Sequence, residues 1–104
     1  MATATIAGTE VQVDSEGFLT QPDEWTEEVG KELAANIGIE MTEDHWRVVK
    51  FLREDFKETG ETPTIRRVTN AGGFPTKELF TLFPKKPAKK MSYVAGLQKP
   101  VGCV

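Results

Sequence analysis

The chain has 104 residues, 38% of them apolar, and a formal net charge of −3. That length makes one small domain with a modest core and little stability to spare. No run of eighteen apolar residues appears, which argues against a membrane-spanning helix, and Met1 to Ile6 lack the basic and apolar regions of a signal peptide.

The single cysteine cannot close an intrachain disulfide, so the sequence predicts a reducing, cytoplasmic setting in which a free thiol persists. The small net charge hides an asymmetry. Residues 1–61 carry fifteen acids and five bases, a net −10, whereas residues 62–104 carry one acid, Glu78, and eight bases, a net +7. A dipolar molecule of this kind is steered to an acidic partner through its cationic half.

In chain order, residues 3–7 and 10–13 are rich in Thr, Ile and Val around Gly8-Thr9, which predicts a short hairpin docked on helices. Asp14-Ser15-Glu16-Gly17 has the residue types of a turn, after which Phe18 and Leu19 enter the core. A helix is predicted from Pro22-Asp23-Glu24 to Asn36 or Ile37, with Trp25, Val29 and Leu33 forming one buried stripe and Gly38 as the stop.

Thr42 is the predicted N-cap of the longest helix, which runs to Thr59 and stops at Gly60. Trp46, Val49, Leu52 and Phe56 form its buried face, widened by Val48 and Phe51. His45, the only histidine, has no partner at metal-ligand spacing and is assigned a structural or surface role. Thr62-Pro63 reads as an N-cap and first helical residue of a short helix over 63–71, ended by Gly72-Gly73. Thr76 would cap another, carrying Leu79, Phe80, Leu82 and Phe83 and closed by Pro84. A last helix from Pro87 to Ala95 turns Met91 and Val94 inward and ends at Gly96.

The expected fold class is mainly α: a small orthogonal helical bundle with a helix-turn-helix-like part, an N-terminal β-hairpin and a flexible C-terminal arm over 97–104. The whole chain, 1–104, is expected to be a single domain.

The arm, Leu97-Gln98-Lys99-Pro100-Val101-Gly102-Cys103-Val104, holds the candidate chemistry. Pro100 and Gly102 oppose regular structure, and the arm has few apolar anchors beyond Leu97 and Val101. Cys103 lies outside every periodic apolar pattern, unlike a buried structural cysteine. A thiolate is the nucleophilic form, and an unperturbed cysteine with a pKa of about 8.5 is only slightly ionised at neutral pH. Lys99, and Arg66 and Arg67 if the arm folds back, are the cations that would raise that fraction.

Two other constellations compete. Arg66, Arg67, Asn70 and Lys77 on the two short helices could contact DNA as a helix-turn-helix, with Cys103 incidental. Lys85, Lys86, Lys89 and Lys90 form a basic cluster around two prolines, suited to an acidic protein or to RNA phosphates. No aromatic interleaving marks a single-strand stacking platform, so direct nucleic-acid binding is the lesser expectation. No Gly-rich phosphate loop, metal cluster or paired-carboxylate arrangement appears, and no cofactor is predicted.

Ala95-Gly96-Leu97, Lys99-Pro100 and Gly102-Cys103-Val104 resemble the C-terminal signature of the DsrC/TusE family of sulfur-carrier proteins. The resemblance continues in family order through Asp14-Ser15-Glu16-Gly17-Phe18-Leu19, Trp25, Thr42-Glu43-Asp44-His45-Trp46, Phe51-Leu52-Arg53, Pro63 with Arg66, Leu82-Phe83-Pro84 and Pro87-Ala88-Lys89. It implies a persulfide carried on Cys103, and an Arg66 lying close to a retracted arm.

Two partners are implied: a TusBCD- or DsrEFH-like sulfur donor, and an acceptor that is either a tRNA thiouridylase or dissimilatory sulfite reductase. Two positions depart from the family pattern. Gln98 stands where the family usually has proline. Ser92 stands eleven positions before Cys103, where two-cysteine members carry a second cysteine. A one-cysteine relay is therefore the expected form, and Ser92→Cys is expected to create a disulfide switch.

Overall fold

The computed structural model describes residues 2–98. The chain starts as an antiparallel hairpin of β1 (Ala2–Ile6) and β2 (Thr9–Val13), with Ile6 opposite Thr9 and Ala2 opposite Val13. The turn residues are Ala7 and Gly8, one position earlier than expected, and both have positive φ, 53° and 76°. Two left-handed residues in a row make the two-residue turn that matches the right-handed twist of paired strands.

The Asp14 carboxylate then accepts from the Glu16 and Phe18 amides, at 2.8 and 3.0 Å, and folds the chain back so that Leu19 bridges Val13. Ile6, Val11, Val13 and Leu19 pack with Val29 and Leu33 as one apolar cluster, so the hairpin is docked.

The first helical stretch differs from expectation. Pro22–Glu24 is a single 3-10 turn, Trp25 is extended, and α1 (Glu27–Asn36) begins after Thr26. The Thr26 hydroxyl accepts from the Val29 amide at 3.2 Å, a cap that the proline-acid run cannot supply. Val29 and Leu33 are buried as expected, while Trp25 stands outside the helix and is turned elsewhere.

Helix α2 (Glu43–Thr59) has the expected bounds, with Gly60 left-handed at its end. His45 has the structural role expected of it. Its Nδ1 accepts from the Thr42 amide at 3.1 Å, and its Nε2 lies 2.8 Å from the Leu82 carbonyl. That pairing requires Nε2 to carry the proton. The ring thus caps α2 and ties it to the end of α4 (Thr76–Leu82).

Helix α3 (Ile65–Gly72) starts two residues later than expected. Thr64, not Thr62, is its cap and accepts from the Arg67 amide at 3.2 Å. Both threonines offer the same hydroxyl, and Thr62 is used by the C-terminal segment instead. On α4, Leu79 and Phe83 at its end are fully buried, whereas Phe80 faces outward. Helix α5 (Pro87–Val94) buries Met91 and Val94.

The five helices enclose the main core around Val48, Val49, Leu52, Val68, Leu79, Phe83 and Met91. Trp25 and Tyr93 pack against both this core and the hairpin cluster, and they form the seam between them.

Candidate functional site

The last described residues, 94–98, leave α5 and lead towards Cys103. Cys103 and Lys99 lie outside the described residues, as does the rest of the expected arm beyond Gln98. The structure instead defines the root from which that segment departs, and it is held at many points.

A helix C-terminus leaves carbonyls without intrahelical partners. Here two of them are met by side chains from distant sequence. The Trp25 indole N–H donates to the Val94 carbonyl at 2.9 Å. Arg53 Nη1 donates to the Ala95 carbonyl at 2.8 Å, and its Nη2 donates to the Pro22 carbonyl at 2.9 Å. The guanidinium also lies 4.3 Å from the centre of the Trp25 ring, in cation–π contact. Burial lowers the Arg53 pKa from its ordinary value, and the Asp23 charge works in the opposite direction.

Beyond the helix, the Leu97 amide donates to the Ser92 carbonyl at 3.1 Å, and the Thr62 hydroxyl donates to the Gln98 carbonyl at 2.8 Å. Leu97 is buried in the main core. The first two residues of the predicted arm are thus tied down.

Close packing completes the root. Gly96 has φ 72°, and a Cβ there would stand 2.2 Å from Cδ1 of Trp25. A Cβ on Gly30 would stand 2.7 Å from Cζ2 of the same ring. The indole is therefore wedged between two glycines. It also lines, with Trp46, Val49 and Lys50, an open hollow of about 470 Å³.

Arg66 is exposed on α3, whereas its neighbour Arg67 is paired with a carboxylate. Arg67 Nη2 lies 2.7 Å from Oδ1 of buried Asp55, joining α3 to α2. Hydrogen bonding to Asp55, reinforced by its charge, raises the Arg67 pKa. Adjacent residues point in directions about 100° apart on a helix. Only one of the two arginines can reach Asp55.

The helix-turn-helix reading loses Arg67 to that ion pair, and its second helix offers one cation, Lys77, beside Glu78. It is not favoured. No helix of the described residues is long and apolar enough to cross a membrane.

Ser92 is fully buried, and its hydroxyl donates to the Ala88 carbonyl at 2.8 Å. A disulfide from residue 92 to residue 103 therefore requires Cys103 to come against the buried side of α5. A thiol placed at 92, in a Cys103→Ser background, should react with Ellman's reagent only at the rate at which α5 opens locally. Reaction as fast as that of a free model thiol would show that this side is exposed.

Sequence placed none of Trp25, Arg53 and Thr62 at this root: Trp25 was assigned to a buried helical stripe and Thr62 to a helix cap. Arg53 left one signal: it sits between Val49 and Phe56 on the apolar face of α2, where an arginine needs buried acceptors.

The family model described as DsrC like protein matches residues 5–104. The sulfurtransferase TusE of Salmonella typhimurium is 41% identical over 104 residues, covering 93% of this chain and 95% of that protein. Among solved structures, the crystal structure of dissimilatory sulfite reductase I (DsrI) superposes with a TM-score of 0.85 at 37% identity, over 99% of this chain and 100% of that one. The Pyrobaculum aerophilum DsrC/gamma subunit of dissimilatory sulfite reductase gives a TM-score of 0.81 at 40% identity, over 99% and 95%.

Proposed function

From the premise that this chain belongs to the DsrC-like protein family, we propose that it is a sulfur carrier whose working group is Cys103. The observation that carries this reading is the fixed root at residues 94–98, with the only thiol of the chain five residues beyond it. Covalent geometry limits five extended residues to about 17 Å. A thiol so placed can be offered to a second protein while its own domain stays folded.

The step is thiol–persulfide exchange. The Cys103 thiolate attacks the outer sulfur of a donor R–S–S–H. A new S–S bond forms on Cys103, the donor's S–S bond breaks, and the donor leaves as its thiolate. In the next step an acceptor thiolate takes the outer sulfur from Cys103 in the same way, with no net oxidation. Lys99 is the nearest cation in sequence and favours the thiolate. Arg66, exposed on α3, completes the proposed binding set.

The donor is a TusBCD- or DsrEFH-like protein, and the setting is a reducing cytoplasm, where a free thiol persists. For the acceptor, a tRNA thiouridylase relay is favoured over dissimilatory sulfite reductase. Ser92 leaves Cys103 without an intrachain partner, and its hydroxyl is already bonded in the core.

Incubation with a persulfidated sulfurtransferase should add about 32 Da per sulfur to the wild-type chain, by the same exchange chemistry. Cys103→Ser should gain nothing. Equal loading of the variant would overturn the assignment.

A further inference from the structure

A second hollow, of about 350 Å³, lies where the Asp14–Leu19 turn, the end of α1 and the start of α5 meet. We propose that it docks an acidic segment of a partner protein, with an apolar side chain in the hollow and carboxylates on the lysines at its rim. This goes beyond the carrier reading, and only its use in sulfur transfer depends on that reading.

The floor is apolar. Phe18 is buried with its ring edge-on to Tyr93, at 5.6 Å between centroids, and Ile37 closes the side. The rim is cationic: Lys86, Lys89 and Lys90 line it, and Lys85 precedes them in the turn. Among the described residues the one ion pair of this cluster is Lys89 with Glu16, at 3.4 Å.

Apart from that pair, these lysines do not serve the fold. Lys86, Lys89 and Lys90 stand at the start of α5, which has no acidic residue in its first turn, and cations there oppose the helix dipole. Lys85 is also held at φ 62°, which costs a non-glycine residue energy.

Charge and shape together select a protein over a nucleic acid. The Glu16 carboxylate already rests on Lys89 and would repel a run of phosphates, whereas separate carboxylates can take Lys86 and Lys90 around it. The apolar floor suits a Leu or Phe anchor. The position is also apt, because Tyr93 belongs to the last turn of α5 and its carbonyl accepts the Gly96 amide at 3.2 Å. A partner seated here rests on the helix that launches the segment bearing Cys103.

The test uses the full chain with Cys103→Ser, since docking needs no thiol. A failure here would leave sulfur loading of Cys103 untouched, and the reverse holds as well. The probe is a fluorescein-labelled peptide of glutamates flanking a Leu-Phe pair, followed by anisotropy and by amide shifts of the ¹⁵N-labelled protein. Saturable binding that weakens with salt, with shifts at Phe18, Ile37 and 86–93, is expected.

Lys86→Gln with Lys90→Gln should weaken binding roughly tenfold, the combined size of two exposed ion pairs. Lys77→Gln, on α4, should leave it unchanged. Replacing the Leu-Phe pair by Ser-Ser should also weaken it. No saturable binding, or equal binding by the double variant or by the Ser-Ser peptide, would overturn the proposal. Tighter binding of an oligouridylate at the same amides would overturn it in favour of RNA.

Discussion

Gly96→Ala is expected to lower the unfolding free energy by about 2–5 kcal/mol, the sum of a left-handed backbone penalty and the strain of overpacking. Both parts come from one position. Gly96 has φ 72°, which a side chain disfavours, and its Cβ would fall 2.2 Å from the Trp25 ring. The ring cannot easily move away, because Gly30 packs on it as well and its N–H is bonded to the Val94 carbonyl.

Gly60 isolates the backbone part. It has φ 76°, and an added Cβ would meet nothing within 4 Å. Gly60→Ala should therefore cost only about 1–2 kcal/mol. Urea denaturation of the two variants beside wild type, with unchanged m values, measures the difference. Equal losses for the two glycines would show that Trp25 does not fill the space against Gly96.

Much of the fold was legible where one residue type had one use. Thr42 before an apolar stripe and Gly60 after it bounded α2, and both bounds hold. Boundaries went astray where the same chemistry served two purposes. Pro22-Asp23-Glu24 suits a 3-10 turn as well as the first turn of an α-helix, and Thr26 decided between them by capping α1. Thr62 and Thr64 are both good caps, and the choice fell to Thr64 because Thr62 bonds Gln98.

The site divides in the same way. Cys103, the proposed carrier, stands out in the sequence by its uniqueness and its neighbours. Its root does not, because every side-chain tie in it is long-range. Trp25 to Val94, Arg53 to Ala95 and Thr62 to Gln98 span 69, 42 and 36 residues. Periodicity reports which face of an element is buried, and it marked Trp25 as apolar. It does not report that an indole N–H will find a carbonyl two-thirds of the chain away. The arginine pair shows a smaller version of this limit: sequence offered both as cations for the arm, and the rotation of α3 gave Arg67 to Asp55.

Arg53→Met should release the root while keeping the length and apolar stem of the side chain. The arginine makes two charge-assisted bonds, to the Ala95 and Pro22 carbonyls, and lies over Trp25. Bonds to a charged group are each worth about 1.5–3 kcal/mol, and methionine restores part of the loss through its contact with the indole. A net loss of about 2–4 kcal/mol is expected on those figures.

Arg53→Lys keeps the charge but has one terminal nitrogen in place of the planar fork. It can serve one carbonyl well and should fall between wild type and Arg53→Met. Hydrogen exchange gives the more specific readout. The Leu97 and Gly96 amides, bonded to the Ser92 and Tyr93 carbonyls, should lose protection in Arg53→Met before the α2 amides do. Wild-type protection at Leu97 and Gly96 in that variant would mean that Trp25 and Thr62 hold the root alone. A uniform loss across α2 would mean that Arg53 supports the whole fold and not the root in particular.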